Sequence, residues 1–174
     1  MMVDQIYLVD SDVFITAKNL YYAFDICPGF WKSVIHHHQA GRVFSIDRVR
    51  SELLAGHKTE DLVRWVRNDV PKSFFIQVDT DAVVCAYMDI MMWVQRHSRY
   101  LDLAKAKFAT GADEWLVAYA RVHGSTVVTN EQSAPESRKE VKLPDVCDRF
   151  GVHRDNTFAM LRALNVHFNW AGDG

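Results

Sequence analysis

The stretch Ile6-Tyr7-Leu8-Val9-Asp10-Ser11-Asp12 decides the fold class of this chain. Its four apolar residues are continuous rather than alternating with polar ones, which is typical of a short strand covered on both faces. Two aspartates follow the strand directly, and Asp12 can cap a helix that begins at Val13. The stretch therefore predicts a buried strand that ends in acidic side chains.

Short strands and helices alternate along the rest of the chain. Apolar runs predict further strands at residues 43–46, 74–78, 125–129 and, at a sheet edge, 166–168. Helical spacing of apolar residues predicts helices at residues 13–17, 28–39, 47–56, 59–68, 82–97, 114–122 and 157–164, and a short one from Pro144. This alternation predicts an α/β fold, a three-layer α/β/α sandwich whose central sheet is mostly parallel.

Length and composition restrict the class of protein. The chain has 174 residues, so we expect a single domain over residues 1–174. Apolar residues make up 49% and charged residues 24%, which excludes wholesale disorder, collagen and a small disulfide scaffold. The net charge of −2 does not indicate a nucleic-acid binder as a whole, so any such surface must be local.

Neither the cysteines nor the start of the chain indicates export. Cys27, Cys85 and Cys147 are far apart and lack the spacing of a disulfide framework or a zinc site. Asp4 and Asp10 stand where a signal peptide needs an apolar core, and every apolar run is far shorter than the ~20 residues of a membrane span. We therefore expect a cytoplasmic protein with no membrane partner.

Four acidic residues that are distant in the sequence are expected at one edge of the sheet. Asp10 follows the first strand, and Glu52 lies one turn into the helix after the second. Asp113 starts the helix before strand 125–129, and Glu131 follows that strand. Ligands of open α/β sheets bind at the carboxyl ends of the strands, where these side chains can converge.

Crowded carboxylates repel one another and raise each other's pKa unless a cation intervenes. Their hard oxygen atoms suit Mg²⁺ or Mn²⁺, which can activate water against a phosphate ester. Each acid taken alone also has an ordinary structural explanation, as a helix cap, a solvated side chain or a loop charge. The sequence therefore predicts a divalent-metal site only if the four acids come together.

The acidic segments resemble the motifs of the PIN domain. Residues 9–15 (VDSDVFI) look like the first motif, in which an aspartate ends the first strand, and residues 112–120 (ADEWLVAYA) look like the helix of the third acid. Residues 123–131 (HGSTVVTNE) are similar to the strand that follows, and residues 49–53 (VRSEL) hold Glu52 where the second acid is usual. Two departures are Asp12, where Asn is usual, and Glu131, where Asp is usual.

The resemblance implies a Mg²⁺- or Mn²⁺-dependent endoribonuclease, often the toxin of a bacterial toxin–antitoxin pair and commonly a homodimer. It implies in-line attack of water on an RNA phosphodiester, which leaves a 5′-phosphate and a 3′-hydroxyl. Asp10 and Asp113 would be primary metal ligands, Glu52 would complete the metal shell or orient the water, and Glu131 would reach the metal directly or through water. The side chains implied to position water or phosphate are Ser11, Asp12, Thr129 and Asn130.

RNA binding would need local positive charge. Lysines and arginines are concentrated in residues 42–72, 96–107 and 138–142. Contacts between these side chains and phosphates would make binding steeply dependent on salt. A solvated helix surface explains the same charges equally well.

Two other functions are compatible with the sequence. Asp10-Ser11-Asp12 also resembles the opening motif of haloacid-dehalogenase-type phosphatases, in which the first aspartate is a covalent nucleophile. Thr129, a lysine at 139 or 142, and the acids Asp145 and Asp148 follow in a tolerable order, but no Gly-Asp pair follows a late apolar strand. The third hypothesis is a non-catalytic PIN-like scaffold that binds RNA or protein.

Overall fold

The computed structural model describes residues 4–172, in which five short strands form one parallel sheet. The strands are β1 (Tyr7–Val9), β2 (Val43–Ile46), β3 (Phe75–Ile76), β4 (Thr126–Val128) and β5 (Arg154–Asp155). Their order across the sheet is β3-β2-β1-β4-β5, and every neighbouring pair is parallel. Helices flank this sheet, so the predicted α/β/α sandwich is confirmed. The predicted domain also includes residues 1–3, 173 and 174, which lie outside the described part.

Nine α-helices connect and cover the strands within residues 4–172. They are α1 (Ser11–Thr16), α2 (Pro28–Gln39), α3 (Asp47–Leu54), α4 (Asp61–Asn68), α5 (Asp81–Arg96), α6 (Asp102–Phe108), α7 (Asp113–His123), α8 (Leu143–Arg149) and α9 (Thr157–Ala163). A π-helix (Ala17–Tyr21) continues α1, and a 3₁₀ turn (Lys72–Phe74) precedes β3. No helix in the described residues is both long enough and apolar enough to span a bilayer.

The helix that carries Asp113 has clear sequence signals for its position. Buried Leu116, Val117 and Ala120 give α7 an apolar face, which packs against α5 and β4. The helix ends at Gly124, whose φ of +68° is a left-handed conformation that glycine adopts at low cost. The chain then turns directly into β4, and this short connection sets the start of α7 close to the end of β4.

The strand order places a topological switch point between β1 and β4. From β1 the chain moves outward through β2 to β3, and it then crosses back to β4 on the other side of β1. Connections that leave in opposite directions open a crevice at the carboxyl ends of the two central strands. Asp10 follows β1 and Thr129 follows β4, so both residues lie at this crevice.

Three predictions about the elements were wrong or incomplete. Residues 166–168 form no strand, and the edge strand beside β4 is β5, whose polar sequence Arg154-Asp155 carries no apolar signal. Helix α6 was not predicted, because its short sequence has no capping side chain at Leu101. Asp12 does not cap α1, since the N-cap position belongs to Asp10, and Asp12 lies in the first turn.

Candidate active site

Asp10 is the most enclosed of the acids predicted from the sequence, with only 3% of its surface exposed. Its backbone N–H donates to Val128 O over 3.0 Å, which extends the pairing of β1 with β4 to the end of the strand. Its Oδ2 accepts a hydrogen bond of 3.1 Å from the Thr129 hydroxyl. Burial raises the pKa of Asp10 well above its usual range, and the charges of Asp113 and Asp12 raise it further.

Asp12 is held against the same threonine. Its Oδ1 lies 3.3 Å from the Thr129 hydroxyl and accepts a hydrogen bond of 3.2 Å from the backbone N–H of Asn130. One hydroxyl hydrogen thus faces carboxylates of both Asp10 and Asp12, and it cannot satisfy the two fully. Burial also raises the pKa of Asp12. The two carboxylates of Asp10 and Asp12 are therefore stabilised either by a cation that contacts both or by protonation of one of them.

Glu52 connects the start of α1 with the start of α7. Its Oε2 accepts a hydrogen bond of 2.8 Å from Ser11 Oγ, and its Oε1 accepts one of 3.0 Å from the backbone N–H of Ala112. Both oxygens are therefore engaged, although the residue as a whole is exposed. The hydroxyl of Ser11 also lies 3.4 Å from Asp10 Oδ1, and its role in positioning water or phosphate stays a prediction.

The pKa of Asp113 is influenced by three acids that are distant in the sequence. Burial, followed by the charges of Glu131, Glu52 and Asp12, raises the pKa of Asp113 to about 7, and Lys142 opposes the increase. Such influences act over short distances, because charge interactions weaken with separation. The contacts place the acids in two linked groups: Glu52, Asp113 and Glu131 line one cleft, and Asp10 and Asp12 face the same Thr129 hydroxyl. Ser11 links the groups, since its hydroxyl donates to Glu52 and lies 3.4 Å from Asp10 Oδ1.

Glu131 lies across a cleft from Glu52. Its Oε2 accepts a hydrogen bond of 3.0 Å from the backbone N–H of Leu143, the first residue of α8. The cleft has a volume of about 180 Å³ and is lined by Glu52, Asp113, Glu131 and the two lysines Lys107 and Lys142. Lys142 forms an ion pair with Glu140 over 2.7 Å. The hydrogen bond to Glu140, together with the charges of Glu131 and Asp113, raises the pKa of Lys142. Acids and cations thus share one small polar cleft.

The side chain of Asn130 is engaged with α9. Its Oδ1 accepts hydrogen bonds from the backbone N–H and the hydroxyl of Thr157, over 3.2 and 2.9 Å. Its contact with the acids is made by the backbone N–H alone. Asn130 therefore positions Asp12, and a direct contact between its side chain and water or phosphate stays a prediction.

Glu114 is an acid that sequence reasoning passed over. Only 1% of its surface is exposed, and neither Oε atom has a hydrogen-bond partner in the described residues. Burial raises the pKa of Glu114 to about 8, with contributions from Asp113 and Glu52, while Arg48 lowers it. The sequence gives no signal for this burial, because a glutamate in the first turn of a helix is usually exposed to solvent.

The phosphatase hypothesis finds no support in the positions of its acids. Asp145 accepts hydrogen bonds from the hydroxyl of Ser133 and from the backbone N–H of Ala134, so it anchors the loop after β4. Asp148 forms a two-point ion pair with Arg154, over 2.7 and 3.0 Å. Both acids of α8 are therefore engaged in structural contacts, Asp145 with the loop after β4 and Asp148 with β5.

The donor set of the crevice fits a hard divalent cation. Within residues 4–172, no three His, Cys, Asp or Glu side chains already surround one point as metal ligands. Mg²⁺, however, commonly takes one or two carboxylates and keeps several waters. Asp10 and Asp113 supply two such groups, and a cation between them would relieve the repulsion that raises the pKa of Asp10.

Comparison with solved structures supports the same fold. A chain from a structure described as FitAB bound to an IR36 DNA fragment aligns with a TM-score of 0.54 and 16% identity, covering 95% of this chain and 99% of that one. The sandwich is accordingly PIN-like. A comparison with curated proteins found no match.

One protein family matches nearly the whole sequence. The family is described as "Domain of unknown function (DUF4411)", and it matches residues 7–168. The matched range begins within β1 and extends beyond α9, so it contains every acid of the crevice. The chain belongs to the DUF4411 family and has a PIN-like fold.

Proposed function

We propose that this protein is a Mg²⁺- or Mn²⁺-dependent endoribonuclease and the toxin of a toxin–antitoxin pair. The proposal is carried by two neighbouring groups of acids at the switch point of a PIN-like sheet. Asp10 and Asp12 face the same Thr129 hydroxyl, while Glu52, Asp113 and Glu131 line one cleft. Crowded carboxylates, of which Asp10 is buried, repel one another and are costly unless they hold a cation. The cleft also presents lysines, which suit an anionic substrate.

Asp10 and Asp113 would hold the ion, with Glu131 as a further ligand, direct or through water. A divalent ion held there would supply Lewis-acid stabilisation of the phosphate and would lower the pKa of a bound water. Thr129 keeps Asp10 oriented by its hydroxyl hydrogen bond. Glu52 holds Ser11 and the start of α7, which fixes the position of Asp113. The expected products carry a 5′-phosphate and a 3′-hydroxyl.

Lys142 and Lys107 would bind the substrate rather than the metal. Both line the cleft beside the acids, and each forms an ion pair with Glu140, over 2.7 and 3.8 Å. A phosphate entering the cleft would replace Glu140 as their partner. Lys107 and Lys142 belong to two of the basic segments, 96–107 and 138–142, and their position in this cleft supports a role in RNA binding.

The toxin role and the partners are broader parts of the proposal. Structural similarity to a chain of FitAB supports a PIN-like toxin. An RNA substrate, a cognate antitoxin and a homodimer follow from the resemblance of the acidic motifs to the PIN domain. They are tested by growth arrest on expression, by its relief through a neighbouring open reading frame, and by sedimentation of the purified protein.

The direct test is cleavage of an end-labelled single-stranded RNA by the purified full chain. We expect cleavage with Mg²⁺ or Mn²⁺, none in EDTA, and a loss of about 100-fold or more in Asp10→Asn and in Asp113→Asn. Asp69→Asn alters an exposed aspartate after α4 and is the matched control. The products should be degraded by an exonuclease that requires a 5′-phosphate.

Equal cleavage by wild-type protein and Asp10→Asn would overturn the proposal, as would cleavage that persists in EDTA. Trapping of a phosphorylated Asp10 would instead support the phosphatase hypothesis. Binding of RNA or of a partner protein without any metal-dependent cleavage would support the scaffold hypothesis. Circular dichroism of each variant shows whether it is folded.

A further inference from the structure

A second cavity of about 320 Å³ opens beside Asp12. Asp12 belongs to the acid cluster, which consists of Asp10, Asp12, Glu52, Asp113 and Glu131. Asp12 and Asn130 form its border with the cluster, while Tyr21, Tyr22 and Phe158 line the rest together with side-chain amides. The volume lies at the lower end of the range of small-ligand sites. A group bound in this cavity would lie next to the carboxylates without occupying the metal position.

A π-helix builds one wall of this cavity. The segment Ala17–Tyr21 continues α1, and the backbone N–H of Tyr22 reaches back to Ala17 O over 2.6 Å. Tyr21, the last residue of this π-helix, is 56% exposed, although an aromatic ring gains free energy from burial. π-Helical turns occur frequently at functional sites, since they are less stable than an α-helix of the same sequence.

Helix α9 contributes a second exposed ring and a cation. The Phe158 ring meets Tyr21 edge to face with a centroid distance of 5.6 Å, and 42% of the residue remains exposed. The guanidinium of Arg162, one turn later, lies 5.9 Å from the centre of the Phe158 ring. Exposed aromatic rings next to a cation are typical of surfaces on which single-stranded nucleic acids stack their bases.

The amides of the cavity carry hydrogen-bonding groups that can read a base edge. The Oδ1 of Asn130 accepts from Thr157, and the Oδ1 of Asn156 accepts from the backbone N–H of Ala159 over 2.9 Å. The amino groups of both asparagines have no protein partner among residues 4–172. Gln132 donates to Asn130 O, so its own oxygen is available as an acceptor.

We propose that this cavity is a nucleobase subsite, in which an unpaired base of a single-stranded RNA stacks on Tyr21 and Phe158 while its phosphate lies at the acid cluster. The proposal rests on the proposed function and names how the substrate is held. It explains why exposed aromatic rings and side-chain amides line one cavity next to Asp12, with the Arg162 guanidinium over the Phe158 ring. It also predicts that duplex RNA, whose bases are already stacked, gains nothing from the subsite.

The test measures binding separately from cleavage. A fluorescein-labelled single-stranded 12-nucleotide RNA is titrated with full-length protein carrying Asp10→Asn, which lowers the repulsion of phosphate and blocks the proposed cleavage. Adding Tyr21→Ala or Phe158→Ala should raise the Kd about 5- to 100-fold. Tyr21→Phe keeps the ring and should stay within about twofold of the background. Met88→Ala, at a residue with the same 56% exposure on α5, should do the same.

Three outcomes overturn the subsite. The first is an equal Kd for Tyr21→Ala, Tyr21→Phe and Met88→Ala. The second is an equal loss of affinity for single-stranded and duplex RNA. The third is a change in sedimentation coefficient on Tyr21→Ala, which would identify the patch as a protein contact surface. Cleavage of RNA by the Asp10→Asn protein would overturn the proposed function. A Kd that is raised by Tyr21→Ala but not by Tyr21→Phe or Met88→Ala would still support the subsite.

Discussion

The hydroxyl of Thr129 donates to Oδ2 of Asp10 over 3.1 Å, although the two residues are 119 positions apart in the sequence. The bond joins the ends of β1 and β4 at the switch point of the sheet. The same oxygen of Thr129 accepts a hydrogen bond of 3.2 Å from the backbone N–H of Glu131. One buried threonine therefore positions three of the acidic residues, since its hydroxyl also faces Asp12.

Replacing Thr129 with Val removes that hydroxyl and keeps the shape of the side chain. The buried carboxylate of Asp10 then loses its donor, and we expect the free energy of unfolding to fall by about 1–3 kcal/mol at pH 8. RNA cleavage should fall as well, because Asp10 loses its fixed orientation. Urea unfolding and the cleavage assay measure the two effects.

Thr129→Ser retains the hydroxyl and is the matched control for Thr129→Val. The serine variant should recover most of the cleavage rate. A serine variant as impaired as the valine variant would contradict the role of the hydroxyl and point to loss of the methyl packing.

Asp113 makes the metal-free protein less stable as the pH rises. Its pKa is raised to about 7 in the folded protein, against 3.8 as the ordinary value, so the folded state binds a proton that the unfolded chain has released between these pH values. The contribution of Asp113 to stability is therefore fully present below about pH 4 and is lost by about pH 7, with a size of up to a few kcal/mol. Urea unfolding in EDTA at pH 5 and pH 8 measures the difference.

Asp113→Asn should weaken this pH dependence, and Mg²⁺ should stabilise the wild-type protein more at pH 8 than at pH 5. The raised pKa of Asp10 acts in the same direction, so the variant retains part of the slope. A wild-type protein that gains stability between pH 5 and pH 8 in EDTA would contradict the burial and crowding of these carboxylates.

Glu114 adds a second pH-dependent penalty that does not involve a proposed metal ligand. Its pKa is raised to about 8 from an ordinary 4.5, and its oxygens lack partners in the described part of the chain. Glu114→Gln should match the stability of the wild-type protein near pH 5 and exceed it at pH 9, where the wild-type carboxylate is charged. Thermal unfolding across this range provides the comparison.

Glu114→Met gives a second measurement at the same position. It removes the unpartnered polar atoms, so the free energy of unfolding should rise by about 1–3 kcal/mol even at pH 5. Equal stability of the wild-type, Gln and Met proteins at pH 9 would show that Glu114 is solvated in solution.

The positive charge of Lys142 lowers the pKa of Asp113. Replacing Lys142 with a neutral residue should therefore raise the pKa of Asp113. In Lys142→Gln we expect the acidic limb of the pH–rate profile to shift to higher pH and the KM for RNA to rise. Lys139→Gln, at an exposed lysine of the same loop, is the matched control. Superimposable pH profiles for the two variants would contradict an electrostatic role for Lys142.

The elements that could be predicted are those with apolar signals of their own. The runs in β1, β2 and β4 were predicted because buried parallel strands are apolar throughout. Strand β5 was missed because its two polar residues are specified by the neighbour: Val127 N–H donates to His153 O over 2.9 Å, and Thr129 N–H donates to Asp155 O over 3.0 Å. An edge strand of this kind is defined by pairing rather than by composition.

The acids of the candidate site followed from their places at strand and helix ends, whereas their contacts did not. Nothing local in the sequence shows that Glu52 accepts from both Ser11 and Ala112, since these bonds span 41 and 60 residues. The burial of Glu114 was equally hidden, because a charged residue in the first turn of a helix is usually exposed.

The sequence by itself determined a parallel α/β sheet and the chain order of the acids that end its strands, because hydrophobic periodicity and turn residues act locally. Only the tertiary structure decided which acids are desolvated, which share a hydrogen-bond donor, and where the aromatic cavity lies beside Asp12. Those properties depend on burial and on distances between side chains. Both are set by packing between segments far apart in the chain, so no stretch of sequence contains them.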